Sequence, residues 1–146
     1  MTARSIVTLL TLVVATTTLA AQGTASSLPQ PIMTAFRQAY PNATILHFNR
    51  ERRDGTPVYE IESKDGTQRR DLIYDLQGNT LEIEEIIPPD SVPAAVRAGL
   101  ERDLKGATLL GAERVIRGDT TLYEVHARKG GRGQYLTYDP EGTRKE

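Results

Sequence analysis

Apolar and polar positions along the chain follow two rhythms that take turns. In LPQPIMTAFRQAYPNA, Ile32, Ala35, Phe36, Ala39 and Tyr40 recur at three- and four-residue spacing behind a proline suited to a first helical turn. That spacing predicts an amphipathic helix, which Pro41 stops. The rhythm then becomes alternation over residues 43–53, 57–64, 68–76 and 79–87, broken at Asp54-Gly55, Asp65-Gly66 and Gln77-Gly78. Such dipeptides are hairpin chemistry, so four antiparallel strands are predicted. From Ser91 the score restarts: SVPAAVRAGLERDLKGA places Val96, Gly99, Leu100 and Leu104 at helical spacing, Gly106 ends the helix, and strand-like runs follow to Gly142. Four residues remain after that glycine, so a fourth strand here is expected to be missing or vestigial.

The two halves are copies. Shifted by 64 positions and without a gap, the chain matches itself at Pro29/Pro93, Ala43-Thr44/Ala107-Thr108, Arg50/Arg114, Arg53/Arg117, Tyr59-Glu60/Tyr123-Glu124, Leu72/Leu136 and YDLQG/YDPEG, among others. Over residues 28–82 there are 15 identities in 55 positions, where composition alone gives roughly three. A tandem duplication is the economical reading. The expected fold is therefore α+β: two consecutive helix-plus-antiparallel-sheet repeats, with helices on one face and the other face open. The expected boundaries are a leader at 1–21, a linker at 22–27, and repeats at 28–87 and 88–146.

Alternation assigns the faces. Tyr59 and Ile61, Leu72 and Tyr74, and their equivalents Tyr123, Val125, Leu136 and Tyr138 are expected under the helices. In the LEIEEII run, Leu81 and Ile83 should turn inward and Glu82 and Glu84 outward. If no bulge intervenes, Ile45, His47, Glu60, Glu62, Asp71, Ile73, Glu124, His126 and Tyr135 share the open face. In each YD..G turn, Asp75 or Asp139 is expected to accept turn amides and Gly78 or Gly142 to take a left-handed backbone.

With the helix openings LP and VP, the YPNA that follows the first helix, the strands VYEIESKDG and LYEVHARKG, and the two YD..G closures in place, the chain resembles the exported PepSY-like proteins grouped with the β-lactamase-inhibitor-like fold. The likeness covers residues 28–142. It implies tandem repeats whose strands lie side by side to form one curved sheet, and a binding or inhibitory module acting outside the cytoplasm. It does not imply a β-lactamase as the target. The second copy departs from the pattern where Leu104-Lys105-Gly106 replaces Tyr40-Pro41-Asn42 and where its last strand is cut short.

Composition narrows the function further. The net charge is -1, with Lys and Arg balanced by Asp and Glu throughout, so no phosphate-tracking basic block exists and nucleic acid is not expected as a partner. Residues 1–23 run from an early Arg4 through an apolar, Thr-rich stretch to small residues near Ala20 and Ala21, the order of a cleaved secretory leader. A periplasmic or secreted protein is expected, off the membrane once the leader is removed. The absence of cysteine rules out disulfides, thiol nucleophiles and cysteine-ligated metals.

Reactive constellations are scarce. His47 and His126 lie on different strands without carboxylates at helical spacing, so no metal site is expected. A calcium reading of Asp75 and Asp139 fails on ligand count, since each turn supplies one carboxylate plus at most Glu141. Gly130 to Gly133 lacks a phosphate-loop ending and leads into a strand. The pairs Glu60/Glu62 and Glu84/Glu85 would suit acid-base catalysis only in a cleft, and G-x-S-x-G is absent. No catalytic residue, cofactor or metal is therefore expected. The leading expectation is a non-enzymatic exported module that binds a protein or peptide through the open sheet face, with Glu60, Glu62, Ile73, Glu124, His126 and Tyr135 as contact residues, and with inhibition of a hydrolase as one outcome. Ile73 and Tyr135 are the expected anchors. The alternative is an envelope sensor of a small ligand or cation, and a weaker third is a hydrolase built on paired carboxylates.

Overall fold

The computed structural model describes residues 27–145; the expected leader lies outside them. Two helices, α1 (Gln30–Ala39) and α2 (Ala94–Asp103), accompany eight strands: β1 (Thr44–Arg53), β2 (Thr56–Asp65), β3 (Gln68–Tyr74), β4 (Thr80–Ile87), β5 (Thr108–Arg117), β6 (Thr120–Lys129), β7 (Arg132–Tyr138) and β8 (Arg144–Lys145). A short 3-10 turn, Pro89–Ser91, precedes α2. The strands form one antiparallel sheet in chain order, and β4 pairs with β5 to carry the sheet through the junction of the copies. The fold is α+β, with the duplication visible in the helix and the first three strands of each copy. Unlike β4, β8 is only two residues long and pairs with Thr137 and Tyr138.

Each helix covers its own copy's sheet. Ile32 and Phe36 of α1 meet Tyr59, Ile61, Leu72 and Tyr74, and Val96 and Leu100 of α2 meet Val125, Ala127, Leu136 and Tyr138. Tyr59 pairs directly with Tyr74, and Tyr123 with Tyr138. These are two cores, not one. Between them, on the helix side of β3, β4 and β5, Glu85 accepts hydrogen bonds from Arg70 (2.7 Å) and Arg114 (3.1 Å), and the Arg70 guanidinium lies 5.0 Å from the centre of the Tyr40 ring. Burial works against a charged Glu85, but the two arginines outweigh it and hold its carboxyl below the usual range.

The YD..G turns close as the side-chain chemistry demands. Asp75 Oδ1 accepts from the amides of Gln77 (2.9 Å) and Asn79 (2.8 Å), and Asp139 Oδ1 from that of Thr143 (2.7 Å). Gly78 and Gly142 have φ of 88° and 79°. They also admit the helices: a Cβ on Gly78 would sit 2.7 Å from the Pro31 carbonyl oxygen, and one on Gly142 would sit 2.1 Å from that of Ala95. A turn glycine is thus also the contact point for the first turn of its helix.

Three irregularities move residues that simple alternation misplaces. The β1 register slips between Ile45 and His47, so Ile45 pairs with Ser63 and packs on the helix-side core, while His47 keeps the open face opposite Glu62. The extra residue, Leu46, is exposed; its copy Leu110 occupies the equivalent slip in β5. A third slip, where Ile73 pairs with Glu82 but Tyr74 with Thr80, leaves Leu81 exposed instead of inward. A bulge adds one residue against its partner strand and so reverses the facing of everything before it.

Candidate functional site

The open face is built from alternate residues of β1 to β7. Its rows follow from the register: His47, Glu62, Asp71 and Glu84 lie side by side on β1 to β4, and Ile86, Glu113, Glu124 and Thr137 on β4 to β7. One row further along, Gly111, His126 and Tyr135 are neighbours on β5 to β7. Glu62, Asp71, Glu84, Ile86 and Glu113, together with Arg69 and Arg70, border a shallow depression of about 160 Å³.

At the other end the face curls over itself. Arg53 on β1 reaches Glu82 on β4 at 2.6 Å, across two intervening strands; in a flat sheet those strands would lie roughly 14 Å apart. Arg117 on β5 binds the second oxygen of the same carboxylate. Beneath this bridge Val58, Ile73 and Val115 are buried although they belong to the open face. Ile73 is only 1% exposed, so it cannot serve as a surface anchor: the curvature that closes the arginine bridge also takes Ile73 out of reach. Glu82 itself is desolvated, yet the hydrogen bonds from Arg117, Arg53 and Glu84 hold its carboxyl below the usual range.

The remaining carboxylates lack such partners. Among the described residues, Asp71, Glu84, Glu113 and Glu124 take part in no ion pair, whereas Glu62 pairs with Arg69. Burial, then Glu82 and Glu113 nearby, push Glu84 up to about 7, partly offset by Arg53. Burial together with Glu60 and Glu62 raises Asp71, and burial together with Glu124 and Asp71 raises Glu113. Glu84 and Glu85 do not act as a pair, because they point to opposite faces. Sequence reasoning placed Glu60, Glu62, Asp71 and Glu124 here and turned Glu84 outward, and missed Glu113. Glu84 meets Asp71 through the β3 to β4 pairing and Glu113 meets Glu124 through the β5 to β6 pairing, and the β4 to β5 pairing brings the two together.

The aromatic end is also assembled by register. His126 and Tyr135 are cross-strand partners with ring centroids 4.5 Å apart and planes 8° from parallel. Gly133 leaves room beside the stack, since a Cβ there would crowd His126 Nε2 at 3.0 Å. Tyr135 is 68% exposed. Of the six expected contact residues, Glu124, His126 and Tyr135 cluster on β6 and β7, and Glu60 and Glu62 sit on β2. Asn49 donates a hydrogen bond to Glu60 (3.0 Å). The equivalent of the His126 and Tyr135 pair in the first copy is Glu62 and Asp71: the duplication kept the backbone and exchanged a carboxylate pair for an aromatic stack.

Among the described residues no three His, Asp or Glu side chains converge to hold a metal ion, and no helix is long and apolar enough to cross a membrane. Among curated protein sequences, none matches the chain. Solved structures share its fold. A BLIP-like protein from Bacteroides fragilis is 19% identical with a TM-score of 0.64, over 83% of this chain and 86% of that one. A Bacteroides eggerthii chain described as among "putative periplasmic proteins" is 13% identical with a TM-score of 0.69, over 82% and 87%. A DUF2874 family protein from Bacteroides uniformis is 15% identical with a TM-score of 0.68, over 81% and 86%. The family model described as "Putative beta-lactamase-inhibitor-like, PepSY-like" matches residues 20–82 and again 71–145. Two matches, one on each copy, agree with two helices on one continuous sheet: the chain belongs to the PepSY-like, β-lactamase-inhibitor-like family.

Proposed function

We propose that this is an exported, non-enzymatic module that binds a protein or peptide on the open face of its sheet, and that inhibition of a hydrolase is one consequence such binding would have. The carrying observation is the asymmetry of the sheet. Both helices cover one face, while the other presents Tyr135, exposed and stacked on His126, beside half-buried carboxylates. An exposed aromatic held rigid by its neighbours is the type of residue that interfaces use as an anchor. Action in the periplasm or outside the cell is supported by the leader-like residues 1–23 and by the periplasmic description of a structural neighbour. A cation-sensing role has less support, since no metal-holding cluster forms among the described residues.

Site-specific photo-crosslinking in the native envelope tests the reading. A crosslinker at Tyr135 should trap one defined protein, and the same crosslinker at Arg97, exposed on α2, should not. Equal trapping from both sites, or none from Tyr135, would refute it.

A further inference from the structure

We infer that the segment a partner presents to this face is cationic: an extended stretch bearing lysine or arginine, laid across β3 to β7 with its basic groups among Asp71, Glu84, Glu113 and Glu124 and one side chain against Tyr135. The inference rests on the open face being the binding surface and adds the chemistry of what it takes.

Charge complementarity carries the argument. Several carboxylates of this sheet are matched: Glu82 has Arg53 and Arg117, Glu85 has Arg70 and Arg114, and Glu62 has Arg69. On two adjacent rows of the open face, among the described residues, four carboxylates have no such partner, and the neighbouring Arg69 is already paired with Glu62. Asp71 lies directly opposite Glu84, and Glu113 directly opposite Glu124, arrangements that cost stability in a sheet because like charges are held together. Lysine or arginine from outside would relieve both pairs. The aromatic stack ends the same track and offers the free face of Tyr135 to a cation or an apolar stem. Four strand spacings separate β3 from β7, roughly 19 Å, the span of about six extended residues. Phosphates, nucleic acids and anionic lipid surfaces carry the wrong charge for this track.

The probe is a nine-residue oligoarginine peptide titrated into the isotopically labelled full chain at low salt, with a nine-residue oligoglutamate as control. Amide shifts should concentrate on β3 to β7 around Asp71, Glu84, Glu113, Glu124 and Tyr135, and the acidic peptide should leave them unmoved. Glu84→Gln combined with Glu113→Gln should weaken binding by roughly tenfold, Tyr135→Ala by about threefold, and Glu101→Gln on α2 should change nothing. The inference is overturned by shifts scattered over both faces, by unchanged affinity in the double variant, or by millimolar calcium moving the same amides without competition from the peptide. It also fails, while the face assignment stands, if the protein trapped at Tyr135 docks there through an acidic or wholly apolar segment.

Discussion

Arg53 and Arg117, equivalent positions of the two repeats, meet on a single carboxylate, each taking one oxygen of Glu82. The bridge joins β1 to β5 over the top of β2 and β3, and it sets the curvature of the open face. Glu82 is 5% exposed, so removing its charge strands two guanidiniums that have no other acidic partner except Glu51. Glu82→Gln is expected to lower the unfolding free energy by about 1 kcal/mol in urea titrations, since Arg53 and Arg117 are 41% and 57% exposed and water takes up part of the lost interaction, and to raise the exposure of Val58 and Ile73. A loss below about 0.5 kcal/mol would mean that the bridge is ornamental.

The turn glycines separate two effects that a glycine can have. Gly55 and Gly142 both have positive φ, 78° and 79°, but Gly55 faces open space while Gly142 faces the Ala95 carbonyl. Gly55→Ala is expected to cost about 1 kcal/mol from backbone strain alone. Gly142→Ala should cost at least about 3 kcal/mol, because α2 must shift to admit the methyl group. Paired denaturation curves measure the difference; equal losses would remove close helix approach as the reason for the glycine.

Acidity should favour the fold at the carboxylate row. Glu84 titrates at about 7, above the ordinary glutamate value, so its contribution is fully present below that ordinary value and is lost as pH rises through 7. Burial is the main cause, Glu82 on its own strand and Glu113 on β5 add to it, and Arg53 opposes them. The melting temperature should therefore fall between pH 5 and pH 8. Glu84→Gln should flatten that fall and stabilise the protein at pH 8 by on the order of 2 kcal/mol. The depressed Glu82 and Glu85 act in the opposite sense and set the acid limit: their contribution is lost as pH drops through their lowered values. A wild-type melting temperature that rises steadily from pH 5 to 8 would contradict this assignment.

The aromatic stack should matter little to folding. With Tyr135 mostly in solvent, Tyr135→Ala is expected to change stability by no more than about 0.5 kcal/mol, measured by thermal melts, while weakening partner capture on that face. A large destabilisation would make the stack a structural element and not a contact surface.

The architecture was legible because it was written twice. The helix spacing around Phe36 and Leu100, the hairpin dipeptides and the YD..G turns each repeat in register, and two independent copies of a weak signal make a strong one. What stayed hidden were effects of register and curvature. Ile45 and Leu81 changed face through bulges, for which the sequence has no marker comparable to a turn glycine. Ile73 alternates correctly but disappears beneath the Arg53 bridge, a contact between residues 29 positions apart. Of the candidate surface, the Tyr135 end was readable from alternation alone. The two acidic pairs became one continuous track only when β4 and β5 were known to be neighbours.

Strand order that equals chain order has a kinetic consequence. Tight two-residue turns, such as the one at Asp54 and Gly55, join most neighbouring strands, so the entropy lost in closing each pair is small. The single expensive closure is that of β5 onto β4, which spans α2 and must wait for a finished edge to receive it. A chain built this way can zip up from its first hairpin, avoiding the slow search that other all-antiparallel topologies impose.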